Sequence, residues 1–131
     1  MKGLTEIFQS ADWKNEKHVP VIEVPEVIKK GENFKVMISV GKKIPHPNTT
    51  EHHIAWIDVY FLPDGEKFPI NLSKFSISAH GASSQGPNTS TVYTHPEVSL
   101  TFKTDKSGEL IVFSYCNIHG LWTNSQKISI S

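Results

Sequence analysis

The chain has one cysteine, two methionines and no surplus of either charge, and each scarcity removes a class of function. A lone Cys116 forbids an internal disulfide. It equally forbids any centre that draws two or more thiolates from one chain, such as a rubredoxin-type iron site or a four-cysteine zinc site. Thirteen Lys plus Arg match thirteen Asp plus Glu, a formal net charge of +0, so neither nucleic acid nor a membrane surface is expected as a partner; both select a basic excess. No run approaches the ~18 apolar residues of a spanning helix. The start, MKGLTEIFQSADWKNEKH, has no apolar core of a secretion signal, and a soluble cytoplasmic protein is expected. Without such a signal, the N-x-S/T triplets at Asn48, Asn71 and Asn88 read as chance.

What remains is an ordinary globule. With 131 residues, 37% hydrophobic and 20% charged, the chain is expected to form a single domain over 1–131 with its own core. Leu4, Ile7 and Phe8 fall at helical spacing and predict a short N-terminal helix or turn, followed by a loop from Ala11 to Lys17. Beyond it the period is two. Phe34, Val36, Ile38 and Val40 alternate up to Gly41, and IAWIDVYFL over 54–62 stops at Pro63-Asp64-Gly65. Phe75, Ile77 and Ala79 alternate, as do Val98, Leu100 and Phe102; Leu110 to Tyr115 is a buried-looking run, and Ile128 and Ile130 close the chain. Six to eight short strands between Pro/Gly/Asn turns predict an all-β, immunoglobulin-like antiparallel β-sandwich, though without the Cys…Trp…Cys signature of antibody domains. GASSQGPN over 81–88 matches neither a phosphate loop nor a nucleophile elbow and reads as a plain connection.

Seven histidines stand against the one cysteine. Cys116-x-x-His119 lies where a strand gives out into a turn, a geometry able to aim a thiolate and an imidazole at one ion. Alone, the pair is more often a buried cysteine beside a surface histidine. His46 sits between Pro45 and Pro47, which hold its loop extended. His52 and His53 are adjacent at the entry of a strand, so their side chains point to opposite faces and at most one can share a centre with His46. His18 follows Glu16 and Lys17, which by themselves read as a solvated turn. His80 and His95 have no companion at ligand spacing and read as structural or surface residues. Histidines with one thiolate suit several transition metals, blue copper among them. No methionine follows His119, however, and more histidines are on offer than a two-histidine copper site uses.

The strings EKHVPVIE, VGKKIPHPNTTEHHI, AHGASSQGPNTS and SYCNIHGLW resemble the one-iron superoxide reductases, the neelaredoxin class, from Trp13 to Trp122. As a set these motifs are far more specific than any one of them. The resemblance implies one non-haem iron per chain, cycling between Fe2+ and Fe3+. Its planar ligands would be His18, His46, His52 and His119, with Cys116 on the axis. Glu16 matches the glutamate that takes the sixth position in the oxidised state, and Lys17 the lysine beside the open site.

It also implies one-electron reduction of superoxide to hydrogen peroxide, an external donor such as rubredoxin or a similar small electron carrier, and a homotetramer. Backbone N–H groups near 117–119 are expected to donate to the sulfur. Trp122 is left with two readings, shielding the iron or plain packing. Rival readings are a cupredoxin-like electron carrier, a metal-free binding module and a superoxide dismutase, separable by metal content and the spectrum of the oxidised protein.

Overall fold

The computed structural model describes residues 3–131. After one helical turn, α1 (Leu4–Ile7), seven strands follow: β1 (Pro20–Glu23), β2 (Phe34–Val40), β3 (Ile54–Pro63), β4 (Ile70–Ser76), β5 (Glu97–Phe102), β6 (Gly108–Cys116) and β7 (Gly120–Ile128). They form two antiparallel sheets, β1-β2-β5 and β4-β3-β6-β7. This is the expected immunoglobulin-like sandwich.

The alternation that predicts the strands also builds the core. Val36 and Ile38 from β2 meet Ile57 and Val59 from β3 and Leu110 and Val112 from β6, all fully buried. Each such side chain contributes about 1.5–3 kcal/mol relative to exposure, so the central strands form a rigid platform. Three strand limits differ from the sequence reading. β1 is only four residues long between Pro20 and Pro25, too short for a period to show. β7 begins at Gly120, although GLWTNSQKI carries no apolar alternation, because it lies at a sheet edge and is mostly half-buried. β4 starts at Ile70 and ends before Ile77; as the opposite edge it is largely exposed, and its apolar period is weak.

Register decides where the loops meet. The start of β1 pairs with the end of β2 (Pro20↔Val40), and the start of β3 pairs with the end of β6 (Ile54↔Cys116). The segment before β1, the loop leaving β2, the entry to β3 and the turn leaving β6 therefore all emerge at one end of the sandwich.

Candidate metal centre

Each of those four segments carries a histidine to that end. His18, two residues ahead of β1, is 6% exposed, and the buried Ser114 hydroxyl donates to its carbonyl at 2.9 Å, tying it to β6. His46 is reached by a reversal at Gly41, whose φ of 83° favours glycine; a Cβ there would stand 2.7 Å from the His46 nitrogen. His52 closes a turn in which its N–H donates to Thr49 Oγ1 at 3.1 Å and its carbonyl accepts from the Thr49 N–H at 3.0 Å. Cys116 ends β6 fully buried, and the chain turns through His119 to open β7 at Gly120.

The four imidazoles form a closed ring. Centroids of neighbouring rings lie 4.8 Å apart for His18–His46, 4.7 Å for His46–His52, 5.0 Å for His52–His119 and 4.8 Å for His119–His18. Neighbours meet edge to face or tilted, whereas the diagonal pair His18–His52 is 6.4 Å apart at 30°. Ligand atoms of His18, His52, Cys116 and His119 all lie within 4.8 Å of one another, a group that could hold a metal ion. Two imidazole nitrogens about 2.1 Å from one ion at right angles are about 3.0 Å apart; His18 Nε2 and His119 Nδ1 are separated by 3.1 Å. His119 Nδ1 stands 3.7 Å from the sulfur, and the His119 backbone N–H donates to that sulfur at 3.4 Å, the kind of donor expected from the sequence.

The donor set fits a cation. His46 Nε2 and His52 Nε2 are buried with no hydrogen-bond partner among the described residues. Such orphans are costly unless something else fills the position. His46 Nδ1 bonds to the Pro47 carbonyl at 2.7 Å, which leaves the lone pair on the orphaned Nε2. Burial pushes His46 down to about 4 and lowers His52 too, with the Lys17 charge adding to both, so both rings are neutral at pH 7. The Glu16 carboxylate bonds to His18 Nδ1 at 2.5 Å and accepts from the His18 N–H at 2.8 Å, aiming Nε2 at the centre. Burial alone would raise the Glu16 carboxyl; its contacts with His18 outweigh that and hold it below the ordinary range. Glu16 thus stands behind His18 here, and half-buried Lys17 lies between them in sequence.

The other histidines part company as the strand parity requires. His53 turns away and stacks on buried His80, centroids 3.6 Å apart and planes at 5°. His80 is held by Asn48 Oδ1 at 2.7 Å and by the Ile77 carbonyl, a structural role, and His95 is exposed. Trp122 stacks on His18 at 4.8 Å and 14°, backing one ring of the centre. Thr49, Ser114 and Asn117 also support the site, and no sequence signal marks them: Ser114 and Asn117 act through hydrogen bonds across the fold, and Thr49 through a local turn of a common kind.

Fold and site together define a class: an antiparallel β-sandwich with an imidazole–thiolate metal site at one end. The desulfoferrodoxin family model matches residues 10–125. A superoxide reductase from Pyrococcus furiosus is 55% identical over 121 residues, 92% of this chain and 95% of that one. A neelaredoxin from Megalodesulfovibrio gigas is 46% identical over 127 residues, 97% and 98% of the two chains. The solved superoxide reductase (neelaredoxin) from Archaeoglobus fulgidus in its reduced form superposes with a TM-score of 0.87 at 58% identity, covering 94% of this chain and 98% of that one. The chain belongs to the desulfoferrodoxin family.

Proposed function

We propose that this chain is a superoxide reductase with one iron per chain, held by His18, His46, His52 and His119 around the metal and by the Cys116 thiolate. The observation that carries this reading is the closed ring of four imidazoles beside a fully buried sulfur, with two ring nitrogens left without partners. Iron bound there supplies one electron to superoxide, which with two protons leaves as hydrogen peroxide.

The chain's own residues do the rest. The Cys116 thiolate and neutral imidazoles donate electron density to the ion, and the His119 N–H moderates the charge on the sulfur. Lys17 adds positive potential where the anionic substrate approaches. Glu16 orients His18 and, released from it, would be the residue to bind the metal in the oxidised state. A rubredoxin or similar small carrier returns the electron, docking at the end where His119 and Ile118 are exposed. Among the described residues no helix is long and apolar enough to cross a membrane, and we place the chain in the cytoplasm, as one iron-binding domain assembled into homotetramers.

The test pairs elemental analysis with rapid mixing of the reduced protein and superoxide. About one iron per chain, with one peroxide formed per electron withdrawn and no oxygen released, is expected. Copper, or oxygen evolution typical of dismutation, would overturn the reading.

A further inference from the structure

Asn117 occupies the turn between β6 and β7, directly after Cys116, and grips the segment that carries His52. Its Oδ1 accepts from the His53 N–H at 2.8 Å and its Nδ2 donates to the Glu51 carbonyl at 2.9 Å. Its backbone N–H donates to the His53 carbonyl at 3.2 Å. Glu51 and His53 flank His52, so a single amide holds the backbone on both sides of that imidazole. The strand ladder does not do this job: pairing between β3 and β6 shifts register between Ile54 and Trp56, and Ile54↔Cys116 is its last pair. Asn117 takes over where the ladder ends.

The chemistry needs an amide. Only Asn and Gln offer an acceptor and a donor side by side in one plane, and Gln is a methylene too long for this turn. Both side-chain bonds are exposed, so water can replace them and the fold loses little with them. What water cannot replace is the fixed distance between two ligand segments. The far side of the segment is secured separately, by the His53 ring stacked on His80 and by His53 Nδ1 on the Thr49 carbonyl at 2.9 Å.

We propose that Asn117 is a positioning residue that sets the His52 imidazole relative to the Cys116 sulfur and thereby governs how tightly, and in what geometry, the centre holds its metal. The inference rests on the metal-centre reading above. Supporting groups of this kind typically change metal affinity by about 10–100-fold.

The test compares wild type, Asn117→Ala and Asn117→Asp. Ferrous iron is titrated anaerobically against a competing chelator, the thiolate-to-iron absorption band is recorded after oxidation at saturating iron, and the metal-free proteins are melted. In Asn117→Ala, iron affinity falls about 10–100-fold and the band shifts, while the metal-free melting temperature stays close to wild type. Asn117→Asp keeps the acceptor toward His53, loses the donor toward Glu51 and falls between the two. Wild-type affinity with an unshifted band in Asn117→Ala overturns the inference alone. So does weaker binding that merely tracks a lower metal-free melting temperature with the band unshifted, because a purely structural residue would give that. A wild-type chain that takes up no iron overturns the metal-centre reading and this inference with it.

Discussion

His18 Nε2 and His119 Nδ1 lie 3.1 Å apart although 101 positions separate them in the sequence. The spacing would suit two nitrogens held to one metal ion, and it is maintained from behind His18 by Ser114, whose buried hydroxyl donates to the His18 carbonyl. Ser114→Ala leaves that carbonyl without its partner. Stability is expected to fall by about 1–3 kcal/mol, read as a lower melting temperature of the metal-free protein, and iron binding weakens with it. A variant that melts and binds like wild type would show that the bond contributes nothing.

Cys116 is fully buried with the His119 N–H on its sulfur. Cys116→Ser keeps the shape and removes the thiolate. The absorption band of the oxidised iron protein should disappear together with most of the superoxide reductase activity. An unchanged spectrum would remove Cys116 from the ligand set.

Lys17 bears on the centre through its charge, which helps depress both His46 and His52. Lys17→Ala should slow the second-order reaction with superoxide and flatten its dependence on ionic strength, because a steering charge that solvent reaches is screened by salt. Iron content should stay at the wild-type level. Loss of iron would instead make Lys17 part of the scaffold.

Gly41 permits the reversal that brings His46 back to the centre. Gly41→Ala meets both a left-handed φ of 83° and a Cβ contact of 2.7 Å with the His46 nitrogen. The expected result is weaker iron binding and a metal-free melting temperature lower by several degrees, from a strain of about 1–3 kcal/mol. Wild-type affinity would mean that the loop reaches the centre by another path.

Acid should unfold the metal-free chain early. His46 titrates near 4 when folded, against an ordinary 6.5, because burial opposes its charged form. Between those values the unfolded chain holds more protons, so stability falls as pH drops through 6.5 toward 4 and is flat above that window. His52 and His80 are lowered by burial too and steepen the slope. Melting the metal-free wild type and His46→Asn from pH 7.5 to 4.5 should give a shallower dependence in the variant. Equal slopes would assign the effect to the other rings.

Much of this fold and centre is legible in the order of the amino acids. The alternation over 34–40, 98–102 and 110–115 marks strands because one face of each packs into the core and the other does not. Strand parity separates His52 from His53, and the fold turns His53 onto His80. β1, β4 and β7 are poorly marked for two other reasons: β1 is only four residues long, and β4 and β7, the edges of the four-stranded sheet, bury little of either face, so their residues carry no clear period. The supporting bonds of Ser114 and Asn117 leave no such mark, since serine and asparagine in turns and strands are too common to signal a partner dozens of residues away, and the local turn of Thr49 is as common.

By itself, the amino-acid sequence determined the chemistry on offer: one thiolate, several imidazoles on proline-stiffened or turn-flanked segments, and a sandwich able to carry them. Local patterning suffices for that, because period and turn residues act over a few positions. Only the tertiary structure decided which imidazoles share a centre, where Glu16 points and what holds His52 to Cys116. Those relations depend on the antiparallel register that puts the start of β1 and β3 beside the ends of β2 and β6. Register is a property of the assembled sheets, in which residues a hundred positions apart become neighbours.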